Sequence, residues 1–161
     1  MPEPGQNRKI AALRTSECVY HFLLGDKMSK YIELALKEAK KSIKTNDVPV
    51  GTIIVENGKI IAKAHNTREK KHKITGHAEI NAIEKACKKK KTWHLNNCEL
   101  YTTLEPCKMC LEVIKQARIK KVYFAAKQEK ETNIPNIEMI QIKNVENSGK
   151  IIKNFFKNKR K

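Results

Sequence analysis

From Ser29 to Thr45 the apolar side chains Ile32, Leu34, Ala35, Leu36, Ala39 and Ile43 recur at largely helical spacing among lysines, which predicts an amphipathic helix. Ser29 is a favourable N-cap for it, and Asn46, Asp47 and Pro49 end it. The pattern then changes. Residues 51–64, GTIIVENGKIIAKA, form two β-branched runs joined by Glu56-Asn57-Gly58-Lys59, and Asn-Gly between such runs predicts a β-hairpin. The segment NTREKKHKITG after it is a charged, polar loop. From His77 a second helix is predicted, with Ala78, Ile80, Ala82, Ile83 and Ala86 set among polar residues; its lysines 88–91 suit the negative end of the helix dipole. CELYTTL, residues 98–104, predicts a buried strand, and Pro106 precedes a third helix from Cys107 to Ala117. KKVYFAA, 120–126, predicts a further strand, followed by one at Ile137 to Ile142 and a last helix at Ser148 to Lys159. Such an alternation predicts an α/β protein with one mixed sheet of about five strands flanked by helices.

A chain of 161 residues is long enough to bury its own core as a single domain. Residues 1–27, with Pro2, Pro4 and Gly5 at their start, read as an N-terminal extension that is disordered or not native; Met28 could serve as a natural start and open a domain spanning 28–161. The extension has only short apolar pieces and no small-residue cleavage site, so no signal peptide is expected. No apolar run reaches the roughly 18 residues of a membrane span, which excludes membrane insertion. Five cysteines, Cys18, Cys87, Cys98, Cys107 and Cys110, lack the even framework of a secreted domain and suit a reducing cytoplasm. The formal net charge of +17 makes nucleic acid the first candidate partner, although a codon bias toward Lys and Asn would leave the same trace.

The candidate chemistry sits at two predicted helix starts, His77-Ala78-Glu79 and Pro106-Cys107-Lys108-Met109-Cys110. Cysteines at i and i+3 share a helix face and can reach one ion, and a helix N-terminus favours the thiolate. With His77 as third ligand the set is Cys2His, which leaves one tetrahedral position of a zinc ion open to water, as in catalytic sites. One Zn2+ per chain is expected. Glu79 is not needed as a ligand, so it is free to take the water proton and return it to a substrate ring nitrogen and a leaving ammonia. Alone, the Cys-x-x-Cys pair also fits a redox couple or half of a structural zinc site. A structural site needs a fourth ligand, but Cys87 lies nearly three turns along the second helix, roughly 15 Å from His77, and Cys98 is at the far end of the strand leading to Cys107. Both are expected to pack as small apolar residues.

On these residues the chain resembles the bacterial tRNA-specific adenosine deaminases. The resemblance runs from about Tyr31 to Ala126 and rests on Val48-Pro49-Val50-Gly51, Asn66, His77-Ala78-Glu79 and the run Leu100 to Cys110, with Phe155-Phe156 near the end. It implies the three-layer α/β/α cytidine deaminase-like fold and conversion of adenosine to inosine at the wobble position of a tRNA anticodon loop, where the base is already unpaired and cheap to flip. It also implies that Asn66 hydrogen-bonds the flipped base, that the Ala78 amide holds the attacking oxygen or the purine edge, and that Val50 and Leu104 wall the pocket. Asn66 equally suits a turn residue closing the second strand. In Phe155-Phe156-Lys157-Asn158-Lys159-Arg160-Lys161, one Phe would anchor the helix; Phe156 with Lys157 and Arg160 would stack on and neutralise the RNA. The family implies a homodimer meeting through the second and third helices.

After Ala126 the chain departs from the family. An Asp expected soon after the strand stands as Gln128, and a Gly-rich segment is replaced by Lys127 to Asn136. The alternative activity is deamination of a free nucleobase or nucleotide, such as guanine, cytosine or dCMP, which uses the same zinc signature. A binding subunit without activity is disfavoured, because binding alone has no use for Glu79.

Overall fold

The computed structural model describes residues 6–130, 132, 134–143, 145 and 147–160, with side chains from Leu23 onward. Its elements are α1 (Gln6–Ile43), β1 (Gly51–Glu56), β2 (Lys59–His65), α2 (Arg68–Lys71), α3 (Ala78–Lys90), β3 (Cys98–Leu104), α4 (Lys108–Gln116), β4 (Lys121–Ala126), β5 (Glu138–Gln141) and α5 (Ser148–Lys159). The five strands form one sheet in the order β2-β1-β3-β4-β5. β1 is antiparallel to both β2 and β3, whereas β3, β4 and β5 run parallel, so the sheet is mixed as expected. Among the described residues no helix is long and apolar enough to cross a membrane.

The hairpin turn follows from its two residues. Asn57 and Gly58 both have positive φ, 49° and 74°, the requirement of the tight turn that matches strand twist. On one face of the sheet, Ala82, Ile83 and Ala86 of α3 and Leu111 and Ile114 of α4 close over Ile54, Leu100 and Val122. On the other, Tyr31, Ile32 and Ala35 of α1 cover Ile53, Val55, Tyr101 and Tyr123. Tyr101 and Tyr123 stack at 4.5 Å and 7°, and the Tyr31 hydroxyl donates to the Gly58 carbonyl, tying helix to hairpin. Cys98 is buried and Cys87 half-buried against the α3–α4 side of the core, the packing role expected of both.

Gly51, the last letter of Val48-Pro49-Val50-Gly51, is explained by packing. A Cβ there would lie 1.9 Å from the Ala35 carbonyl oxygen and 2.6 Å from the Ala39 amide nitrogen, so only glycine lets α1 cross β1 this closely.

Two expectations change. Ser29 does not open the first helix: α1 runs unbroken through it from Gln6, because residues 6–27 contain no proline and a single Gly25 costs a helix only about 1 kcal/mol. Residues 1–5, and Lys161 of the basic tail, lie outside the described residues. The polar loop after β2 contains the one-turn helix α2, whose Glu69 and Lys70 amides donate to the Asp47 carboxylate.

The parallel pair β3–β4 places α4 as a crossover on one face, and α3 returns on the same side. The C-terminal end of β3 therefore meets the N-termini of α3 and α4, the edge where open α/β sheets take their ligands.

Candidate active site

His77 and Cys107 are the N-cap residues of α3 and α4, both in extended backbone (φ −71°, ψ 150° and φ −73°, ψ 169°), and neither side chain caps its own helix. Each is thereby free to turn toward the space between the two helix starts. Cys110 and Glu79 follow in the first turns. Their positions need nothing beyond helical geometry: i and i+3 for the cysteines, N-cap and N2 for His77 and Glu79.

The ligand atoms of His77, Cys107 and Cys110 lie within 4.8 Å of one another, and among the described residues no other group of His, Cys, Asp or Glu could hold a metal. His77 Nδ1 is 3.6 Å from Cys107 Sγ and 3.4 Å from Cys110 Sγ. Tetrahedral zinc with Zn–N of about 2.0–2.1 Å and Zn–S of about 2.3 Å sets its N and S ligands roughly 3.6 Å apart. Donor types and spacing both fit that ion. With three protein ligands the set is incomplete as a structural site, and neither Cys87 nor Cys98 joins it.

Proton placement suits cation binding. Hydrogen bonds from the Cys110 thiol and from His77 hold Cys107 down at about 4, making it a thiolate, and the positive ends of two helices act in the same sense. Its partners move the other way: the contact with Cys107 raises His77, and the same contact with burial raises Cys110. A divalent cation displaces those held protons. Glu79 is 4% exposed, and burial pushes its carboxyl up to about 7, where it exchanges protons near neutral pH.

A cavity opens directly over this group. His77, Ala78, Glu79 and Cys107 line it together with Asn66, Val50 and Leu104. Cys110 lies fully buried behind them. Asn66 accepts from the Arg68 amide through Oδ1 and donates to the Val48 carbonyl through Nδ2, at 3.0 and 3.1 Å, so it does close a turn while also facing the cavity. Phe155 is buried, which suits the anchoring Phe of the pair, and Phe156 is 45% exposed. Phe156, Lys157 and Arg160 stand on the exposed side of α5 and not in the cavity wall; Lys159 reaches it instead, held 5.0 Å from the Phe155 ring centroid.

Several residues around the cavity carry no mark in the local sequence. Asp47 is fully buried; it reads as a helix stop but fastens α2 beside the pocket. Arg68 and Lys159, 91 positions apart, supply two cations to the same wall. Glu105 is the anchor of the loop that departs from the family: its carboxylate accepts from the Gln128 amide at 2.9 Å, and its carbonyl accepts from Gln128 Nε2 at 2.8 Å. Gln128 thus lines the cavity in a fixed position. Only the departure of 127–136 from the family pattern pointed there.

The layer order, the parallel strands and a His-Cys-Cys group beside a buried glutamate define a deaminase of the cytidine deaminase-like class. The chain belongs to the MafB19-like deaminases, whose family profile matches residues 27–160. It is 45% identical over 107 residues to the tRNA-specific adenosine deaminase of Aquifex aeolicus, covering 66% of this chain and 71% of that one. It superimposes with a TM-score of 0.64 and 31% identity on a structure solved in a study of A-to-I editing by tRNA:A34 deaminases at the wobble position, covering 70% and 96% of the two chains. Guanine deaminase from Bacillus subtilis gives a TM-score of 0.58 and 39% identity, covering 61% of this chain and 63% of that one.

Proposed function

We propose that this chain catalyses the zinc-dependent hydrolytic deamination of adenosine to inosine at the wobble position of a tRNA anticodon loop. The observation that carries the reading is the convergence of His77, Cys107 and Cys110 under a cavity lined by Glu79 and Asn66. The similarity to tRNA-specific adenosine deaminases supports the substrate, as does the +17 charge.

His77, Cys107 and Cys110 would hold the zinc ion, which would supply a water that ionises near neutral pH. Glu79 accepts a proton from the attacking water, passes it to the purine ring nitrogen and then assists the departure of ammonia, so water is consumed and ammonia released. Asn66 has one Nδ2 hydrogen and one Oδ1 lone pair left after its contacts within the protein, a donor and an acceptor for the edge of the base. Val50 and Leu104 flank the ring apolarly, and the Ala78 amide at the start of α3 faces the developing negative oxygen. Arg68 and Lys159 hold the flanking phosphates, with Phe156, Lys157 and Arg160 extending that contact along α5. The enzyme works as a homodimer joined through α3 and α4, in the cytoplasm, where its thiols stay reduced and its substrate is found.

The similarity to guanine deaminase favours one second reading, deamination of a free purine. Purified protein is incubated with an anticodon stem-loop carrying adenosine at the wobble position and, separately, with guanine. Inosine in the stem-loop is the expected result; ammonia from guanine with an unchanged stem-loop would overturn the proposal.

A further inference from the structure

At the end of the sheet opposite the cavity, the chain leaves α3, passes Trp93 and His94 and enters β3. There the Leu95 amide donates to the Ala117 carbonyl at 2.9 Å, which brings this crossing against the C-terminal end of α4. Trp93 remains 57% exposed, although a large aromatic ring is normally covered. Its ring stacks on His94 at 3.8 Å and 26°, and the Arg118 guanidinium lies 5.1 Å from its centroid. Lys89 and Lys91 at the end of α3 and Lys120 just before β4 stand at this same end of the sheet, are exposed and, like Arg118, form no ion pair among the described residues. The nearby carboxylates Glu56 and Glu138 are taken by Lys90 and Lys121.

A helix-end explanation covers part of this charge, since lysines at the end of α3 offset its dipole. It does not cover Trp93, nor the backbone at the two helix ends. Lys91 and Arg118 both have left-handed backbone, φ 54° and 65°, where glycine is the unstrained choice. Both positions carry a long cation instead, and one of them stacks on the tryptophan.

We propose that the Trp93–Arg118 stack and its lysines form a second nucleic-acid contact, which binds a single-stranded segment by stacking an unpaired base and neutralising its phosphates. Exposed aromatic and guanidinium planes take any base, and unpaired lysines follow the backbone without reading sequence. The contact is separated from the cavity by the length of α3, roughly 18 Å. It therefore holds a different stretch of nucleic acid from the one being deaminated. Only the identity of that strand, a distant part of the RNA substrate, rests on the function proposed above.

Trp93 is the single tryptophan of the chain, so its fluorescence reports on the contact directly and without catalysis. A ten-nucleotide single-stranded oligoribonucleotide is titrated into the full-length protein, with heparin as a polyanion that has no bases. Quenching by the oligonucleotide and none by heparin is expected. Arg118→Gly, a residue the left-handed backbone favours, should weaken binding by about tenfold. In filter binding, Trp93→Ala should weaken affinity for a full tRNA to a similar degree, Trp93→Phe should restore it, and turnover of a short anticodon hairpin should stay unchanged in both. Oligonucleotide binding with no change in Trp93 emission would overturn the proposal. So would Trp93 emission in the free dimer that is blue-shifted and shielded from acrylamide, the mark of Trp93 buried against the second copy. Hairpin turnover reports on the deaminase reading separately, so failure of either leaves the other standing.

Discussion

Glu79 and Cys107 line the same cavity but are separable by mutation. Glu79 is not among the metal-holding atoms, so Glu79→Ala should keep about one zinc per chain by elemental analysis while turnover falls by about 10²-fold or more. Cys107→Ala should lose both metal and turnover. Full activity in the Glu79 variant would remove it from the mechanism. The held protons of Cys110 and His77 add a pH dependence with a definite sign. Both groups are raised above their ordinary values and both must lose a proton to bind the ion, so zinc affinity falls as the pH falls. Competition against a chelator between pH 8 and pH 6 should show about a tenfold loss per pH unit for each proton displaced. An affinity that is flat over this range would mean the ligands are already deprotonated. At this scale the sequence was informative, because His77, Glu79, Cys107 and Cys110 lie in two short runs whose helical spacing alone orients them. Asp47, Arg68, Glu105 and Lys159 were not legible, since each acts on a residue or cavity wall supplied by another part of the chain.

Elements depend on one another most tightly where α1 crosses β1. A Cβ at Gly51 meets backbone atoms of Ala35 and Ala39, which cannot swing aside as a side chain would. Gly51→Ala should therefore lower stability by about 3 kcal/mol or more, read as a fall in the urea midpoint, since overpacking of this kind exceeds the usual cost of one added methyl group. Gly25→Ala makes a useful contrast: an added Cβ there meets nothing within 4 Å, and the helix should gain up to about 1 kcal/mol. Strand and helix boundaries were predictable where period and punctuation agreed, as in β3 at 98–104 and α5 at Ser148–Lys159. They were not where a favourable cap lay inside a longer helical run. Ser29 has the chemistry of an N-cap, yet its backbone stays helical because the preceding residues propagate the helix at little cost.

For the whole molecule the excess charge is the property to test. Arg68 and Lys159 enter the cavity wall, and lysines are exposed at the opposite end of the sheet. Affinity for a tRNA should fall steeply between 50 and 200 mM salt, because each phosphate contact releases a counterion. Replacing Lys159 by Ala should reduce the slope of log K against log salt by about one, the share of a single contact. A slope near zero in the unaltered protein would show that the +17 charge takes no part in binding.

What the sequence determined by itself was the chemistry and the class of fold. Hydrophobic period is a local property, and so is the placement of two ligands one helical turn apart. The tertiary structure decided which parts of the chain share the cavity. It brings Asn66 from the end of β2, Leu104 from β3 and Lys159 from α5 to the starts of α3 and α4. It also decided that Trp93 and Arg118, 25 positions apart, meet at the other end of the sheet. The physical reason is strand order: with β1 placed between β2 and β3, and β3 parallel to β4, distant segments end at the same edge, and no local pattern of residues encodes that adjacency.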